Sequence, residues 1–135
     1  MRSDILLLAC VLLLQSAGCE NTVEVNSIPI QFQSATGGQP QSVSVTVTTS
    51  RIAVSGGYLG AACGPVGAHA ELDGETISLT VGTNQKSPCD GALVTYNYSA
   101  ILFNIDPGTY SLRILHRRNG GEAAEIATLA SLSVP

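Results

Sequence analysis

The sequence predicts a small all-β domain, an antiparallel β-sandwich of about seven to eight strands. Three observations lead to this prediction. Val, Ile, Thr, Ser and Gly dominate, and only 12% of the residues are charged, a composition that favours strands over helices. Apolar and polar residues alternate with a period of two through much of the chain. Turn-forming segments separate these stretches at short intervals, as in a sandwich or barrel, and we prefer the sandwich.

The N-terminal segment has the features of a signal peptide. Arg2 supplies a positive charge, and residues 5–14 form an almost unbroken apolar run. A membrane-spanning helix needs about 20 apolar residues, whereas a run of about ten has the length of a signal-peptide core. We therefore expect residues 1–18 to be removed.

The apolar run is followed by Ser16-Ala17-Gly18-Cys19. These residues resemble the lipobox of bacterial lipoproteins, although Ser16 stands where that family usually has a large aliphatic residue. The resemblance implies lipid, with acyl chains such as palmitate, on Cys19, and cleavage just before it. Residues 19–23 would be a short tether, and residues 24–135 a domain outside the cytoplasm in the bacterial cell envelope. An ordinary secreted protein, cut by a general signal peptidase, is the alternative.

Cys63 and Cys89 are predicted to form a disulfide. The chain has four cysteines; Cys10 would leave with the signal peptide and Cys19 would carry lipid, so one pair remains in an oxidising compartment. The bridge would close a loop of about 26 residues and stabilise the fold by roughly 3–4 kcal/mol. A zinc site that also uses the two histidines is the alternative, but it lacks closely spaced ligand pairs.

The residue pattern in the first half of the domain predicts strands separated by loops. A strand over residues 23–32 is expected to break or bulge at Pro29, which an edge position tolerates. Residues 34–40, with two glycines, are expected to form a loop. The alternating valines of 43–47 predict a half-buried strand, and the pattern continues after a bend at Thr49-Ser50.

A glycine-rich segment, residues 56–64, comes next. It has neither the Lys-Ser/Thr pair of a phosphate-binding loop nor a following helix. We interpret it as a flexible apolar loop. Its large apolar side chains, Tyr58 and Leu59, are candidates for a contact surface.

The residue pattern in the second half of the domain predicts hairpins. Asp73-Gly74 is the strongest turn signal, with Ala68, Ala70 and Leu72 on one side facing Ile77, Leu79 and Val81 on the other. Residues 94–105 are expected to pair with residues 110–117. A last strand, which carries Ile126, Leu132 and Val134, is expected after the turn at Asn119-Gly120-Gly121.

The turn before the penultimate strand reads Asp106-Pro107-Gly108-Thr109-Tyr110. Its Asp106, Gly108 and Tyr110 resemble the tyrosine corner of immunoglobulin-like domains, in which the Tyr hydroxyl bonds to backbone just upstream. Leu112 stands where antibody domains have a cysteine, so the resemblance implies the broad immunoglobulin-like architecture. The stretch is also similar to a turn in transthyretin-like and carboxypeptidase-regulatory-like sandwiches. A simple turn followed by a strand tyrosine is the alternative.

Three polar segments of the sequence are candidate sites. His116, Arg117 and Arg118 form a cationic cluster that we interpret as a solvated hairpin end, with contact to anionic lipid or a carboxylate partner as the alternative. The acidic residues 71, 73 and 75 lack the spacing of a calcium loop. Asn97-Tyr98-Ser99 is a glycosylation sequon, but it lies in a predicted strand of a protein with a bacterial signal. No metal or cofactor is predicted.

The predicted function is non-catalytic. The formal net charge is −4 without a visible basic face, so nucleic acid is not an expected partner. The sequence has no G-x-S-x-G elbow, and its two histidines lie on separate predicted strands, so neither a catalytic triad nor a blue-copper site can be assembled. We expect binding or structural support, with membrane lipid at the anchor and an envelope protein or glycan as a further partner. A small secreted hydrolase or protease-inhibitor-like domain is the alternative.

Overall fold

The computed structural model describes residues 26–61, 65–83, 92–118 and 121–135. These residues form strands without a helix, so the predicted all-β class is confirmed. No helix in these ranges is therefore long or apolar enough to cross a membrane. The strands within the described ranges are β1 (Asn26–Ile28), β2 (Ile30–Thr36), β3 (Ser44–Thr48), β4 (Arg51–Ala61), β5 (Gly67–Asp73), β6 (Thr76–Gly82), β7 (Leu93–Leu102), β8 (Gly108–Arg117) and β9 (Ala123–Val134).

The strands form two sheets with a shared apolar core, as expected of a sandwich. One sheet has the order β1-β5-β6-β8-β9 and the other the order β2-β7-β4-β3. The core consists of side chains that alternate inward from both sheets, among them Ile52, Val54, Leu79, Leu102 and Leu112. Burial of these side chains is the main stabilising term of the fold.

One strand pair departs from the predicted antiparallel arrangement. β6 and β8 are parallel neighbours, whereas every other described pair is antiparallel. Parallel neighbours require a crossover connection. Here β7 provides it, because the chain leaves β6, passes through the other sheet as β7 and returns as β8.

The break predicted at Pro29 is confirmed, and it also moves the chain from one sheet to the other. β1 pairs with β5 in the five-stranded sheet, and β2 pairs with β7 in the four-stranded sheet. Proline has no N–H to donate to a strand ladder, but its carbonyl accepts a hydrogen bond of 2.9 Å from the Phe103 N–H. The change of sheet at Pro29 therefore leaves no backbone N–H of this residue without a partner, and its carbonyl is also hydrogen-bonded.

The bend predicted at Thr49-Ser50 is a hairpin turn. Thr48 and Arg51 are opposite each other, and β3 and β4 pair along the whole length of β3. Ser50 has a φ of 61°, a left-handed conformation that helps to reverse the chain. The period-2 pattern indicated both strands but not that they fold back on each other.

The glycine-rich segment is a strand, so the predicted flexible loop is wrong for its described part. Residues 56–61 belong to β4, which lies between β3 and β7. The glycines leave space for aromatic rings. A Cβ at Gly56 would lie 2.8 Å from Tyr98 Oη, and one at Gly60 would overlap the ring of Tyr58.

The predicted hairpin around Asp73-Gly74 is confirmed, but its turn lies one residue later than predicted. Ala70 lies opposite Leu79 and Leu72 opposite Ile77. Asp73 itself pairs with Thr76, so the two turn residues are Gly74 and Glu75. Gly74 has a φ of 61°, a conformation that glycine adopts without strain.

The predicted pairing of residues 94–105 with residues 110–117 is wrong. β7 belongs to the four-stranded sheet and β8 to the five-stranded sheet, so the connection between them crosses the sandwich. β8 instead pairs with β9, the predicted last strand, in which Val134 is buried and Ile126 is exposed. Asn119 and Gly120, predicted as turn residues, lie outside the described ranges.

Candidate functional site

The predicted corner residues lie where the chain crosses from β7 to β8. The Tyr110 hydroxyl donates a hydrogen bond of 2.8 Å to the carbonyl of Asp106. Tyr110 is buried and Gly108 begins β8. The hydroxyl-to-backbone contact expected from the sequence is therefore present, and it fixes the connection between the two sheets.

A second polar cluster lies at the opposite end of the sandwich. His116 on β8 packs edge-on against Tyr58 on β4 and Tyr98 on β7, with ring centroids 5.5 and 5.7 Å away. The Tyr98 hydroxyl and His116 Nε2 are hydrogen-bonded at 3.0 Å. We call these three residues the Tyr-His cluster. They bring three strands from both sheets together.

The Tyr-His cluster is joined to the backbone of β8. The Tyr58 hydroxyl donates a hydrogen bond of 2.7 Å to the carbonyl of Arg117. Gly82 lies beside Arg117 in the parallel β6–β8 pair, where a Cβ would collide with the same carbonyl. The side chain of Arg117 has a buried Nε that lacks a partner among the described residues. This carbonyl is thus a crowded point of contact between the two sheets.

Burial keeps Tyr98 and His116 uncharged at neutral pH. It raises the pKa of Tyr98 to about 12, because water no longer solvates the phenolate. It lowers the pKa of His116 below its ordinary value, and the positive charge of Arg118 lowers that pKa further. The Tyr98–His116 contact is therefore a hydrogen bond between neutral groups. Its role in the described structure is to join the sheets.

The predicted contact residues do not form one surface. Tyr58 is 0% exposed, so its prediction as a surface residue is wrong, whereas Leu59 is 40% exposed on the other side of β4. His116 and Arg117 are half-buried, and only Arg118 of the cationic cluster is exposed. The reason is strand alternation: within a strand, neighbouring side chains point to opposite faces.

Other predicted site residues fall outside the described part of the chain. These are the lipidation residue Cys19 and the predicted disulfide pair Cys63 and Cys89. Within the ranges that are described, no group of three or more His, Cys, Asp or Glu side chains is placed to hold a metal ion.

Comparison with known proteins identifies no relative of this chain. No protein-family model, curated protein or solved structure matches it significantly.

A groove on the outer face of the four-stranded sheet was not predicted. It has a volume of about 360 Å³ and crosses β2, β7 and β4. Its main lining residues are Gln33, Ala35, Gln41, Ser55, Asn97 and Ser99. The loop between β2 and β3 forms one wall and contributes Gln41.

Asn97 holds this wall in place. Its side-chain Nδ2 donates to the carbonyls of Gly37 and Gln39, at 3.4 and 3.1 Å, and its Oδ1 accepts a 3.0 Å hydrogen bond from the Gln41 N–H. Gly57 lies beneath the loop, where a Cβ would come within 2.9 Å of the Gln41 backbone nitrogen. The sequence contained the relevant residues, but only strand register and loop position bring them together.

Proposed function

We propose that this chain is a lipid-anchored protein of the bacterial cell envelope whose domain acts by contact and not by catalysis. The anchor rests on the sequence Ser16-Ala17-Gly18-Cys19, which follows an apolar run too short to span a membrane. Acyl chains on Cys19 would hold the protein at the bilayer, since two or more chains give stable attachment where one gives only marginal binding.

The position of β1 supports a close association between domain and membrane. β1 begins at Asn26, seven residues after Cys19 (26 − 19 = 7), and seven residues reach at most about 25 Å. Asn26 pairs with Leu72, next to the β5–β6 turn. The proposed tether therefore enters at the end of the sandwich that carries this turn.

The cationic residues lie at the other end. Arg117 pairs with Gly82, which in turn pairs with Gly67 at the start of β5. Leu72 and Gly67 are five residues apart on β5, so the two ends are separated by about 17 Å along this sheet. In a domain oriented with the tether end toward the bilayer, Arg118 would lie at the end away from it.

The main support for the contact function is the placement of the two histidines. His69 faces outward on β5 and is exposed, whereas His116 faces the core of the same sheet, where Tyr98 occupies its Nε2. Hydrolytic catalysis needs a nucleophile, a base and donors for developing charge within one pocket. These two histidines cannot serve a common pocket, and no described metal cluster replaces them.

For the fold, we propose the broad immunoglobulin-like or transthyretin-like architecture. The Tyr110–Asp106 hydrogen bond at the crossing between the sheets supports this proposal. The parallel β6–β8 pair shows which part of the topology differs from an entirely antiparallel sandwich.

The anchor is tested by membrane fractionation of cells that express the full chain. Cys19→Ser should move the protein from the membrane fraction to the soluble fraction, because the site of lipid attachment is lost. Cys10→Ser is the matched control, since Cys10 lies within the expected signal peptide, and it should leave the protein with the membranes. A Cys19→Ser protein that stays in the membrane fraction as fully as the control would refute the anchor.

A further inference from the structure

We infer that the groove on the outer face of the four-stranded sheet binds a neutral, hydroxyl-rich ligand of the oligosaccharide class. This inference rests on the proposed contact function, but it does not require the lipid anchor. It is carried by the chemistry of the lining, the unused hydrogen-bonding groups and the fixed wall of the groove.

The lining of the groove carries no charge and combines polar with apolar atoms. Its polar side chains are the amides of Gln33, Gln41 and Asn97 and the hydroxyls of Ser55 and Ser99. An anionic or cationic ligand would lose its hydration here without gaining an opposite charge. A ligand with many hydroxyl groups needs both donors and acceptors, and amides and hydroxyls supply both.

Four of these side chains have their hydrogen-bonding capacity available. In the described part of the protein, the side chains of Gln33, Gln41, Ser55 and Ser99 make no hydrogen bond. They lie on four neighbouring segments around one groove of about 360 Å³, a volume within the usual size range of small-molecule sites. This gives a ligand several converging partners at one place.

The groove is also formed in advance of binding. Asn97 makes three hydrogen bonds to the backbone of the loop that walls the groove, and Gly57 allows the loop backbone to lie directly on the sheet. The floor belongs to β4 and β7, which pair along ten residues. A fixed wall and floor reduce the entropy lost on binding.

The inference is tested by titration calorimetry of the full chain in detergent. The neutral probes are tetrasaccharides of glucose and of N-acetylglucosamine; the comparators are a galacturonic acid tetrasaccharide and an uncharged Gly-Ser tetrapeptide. We expect binding of at least one neutral tetrasaccharide at millimolar concentration or below. Because the lining is uncharged, its affinity should change less than about twofold between roughly 50 and 500 mM salt.

Two variants locate the site. Gln33→Ala combined with Ser99→Ala removes two hydrogen-bonding side chains and should weaken binding by about tenfold or more. Gln31→Ala is the matched control, because Gln31 lies on the same face of β2 and does not line the groove. Its affinity should equal that of the unmodified protein.

Several results would overturn the inference. These are no binding of either neutral tetrasaccharide, binding of the galacturonic acid or peptide comparator alone, or unchanged affinity in the double variant. Mass analysis of the tetrasaccharide after titration shows whether a failure concerns the groove inference or the proposed function. Cleavage of the sugar would refute the contact function, whereas a membrane-bound protein without saccharide binding would refute the groove inference alone.

Discussion

Tyr58 and Arg117 connect the two sheets through a single hydrogen bond, in which the Tyr58 hydroxyl donates to the Arg117 carbonyl at 2.7 Å. Tyr58 is fully buried, so the loss of its hydroxyl would leave that carbonyl without this donor. Tyr58→Phe should therefore lower the free energy of unfolding by about 1–3 kcal/mol. Chemical denaturation checks this value.

The control for Tyr58→Phe is Leu59→Ala. Leu59 is the next residue of β4, and its exposed side chain faces away from the core. This change should alter the free energy of unfolding by less than about 0.5 kcal/mol. Equal effects of the two substitutions would contradict the role of the Tyr58 hydroxyl.

His116 should make the domain less stable in mild acid. Its pKa in the folded protein is lowered from the ordinary value of 6.5, so below about pH 6.5 the unfolded chain binds a proton more readily than the folded chain. The free energy of unfolding should fall as pH drops through this region and level off below the folded-state pKa. Denaturation midpoints of wild type and His116→Gln between about pH 5 and 8 test this, since the variant should lose the His116 contribution.

His69→Ala is the matched control for this pH dependence. His69 lies on the outer face of β5, away from the Tyr-His cluster, and the variant should retain the acid sensitivity of the wild type. If His116→Gln retains the full pH dependence and His69→Ala loses it, the assignment to His116 is wrong.

Gly82 is expected to be intolerant of any side chain. A Cβ at this position would collide with the carbonyl of Arg117, which is fixed in the parallel β6–β8 pair. Gly82→Ala should destabilise the protein by about 1–3 kcal/mol. Gly67→Ala is the control, because a Cβ at Gly67 would have no heavy atom within 4 Å. Thermal unfolding should therefore distinguish the two variants, and equal melting temperatures would contradict the described packing of β6 against β8.

The Cys63–Cys89 disulfide remains a prediction, and the described strands allow it. Ala61 and Leu93 are paired neighbours on β4 and β7; Cys63 follows Ala61 by two residues and Cys89 precedes Leu93 by four. Chains of this length reach about 7 and 14 Å, so the cysteines can approach within bonding distance.

Reduction should remove roughly 3–4 kcal/mol of stability from the oxidised protein. The double variant Cys63→Ser, Cys89→Ser should be insensitive to reductant, which makes it the control. Free thiols at both positions in protein isolated from the envelope would refute the bridge.

The sequence was most informative where local chemistry determines the structure. Asp73-Gly74 predicted the β5–β6 hairpin because a short turn between alternating strands permits few alternatives, although the turn itself lies at Gly74 and Glu75. The Tyr110–Asp106 contact is equally local, since only four residues separate its partners. In such segments the residues that determine the structure are close together in the sequence.

Features that depend on distant strands were missed. Residues 56–61 of β4 were predicted as a loop because the glycines hide the alternation. The glycines are needed there because a Cβ at Gly56 or Gly60 would collide with the ring of Tyr98 or Tyr58. The crossing between β7 and β8 was missed because the turn residues do not determine which sheet receives the next strand. The groove was missed because Ser55 and Ser99 become neighbours only in the final register.

The most direct test of the central claim is the mass of the N-terminal peptide of the mature protein, isolated from the membrane fraction and measured by mass spectrometry. We predict a peptide that begins at Cys19 and carries a thioether-linked diacylglycerol. Cys63 and Cys89 in the same sample provide internal references for cysteine without lipid. An N-terminal peptide that begins elsewhere, or that contains Cys19 as an unmodified residue, would contradict the account.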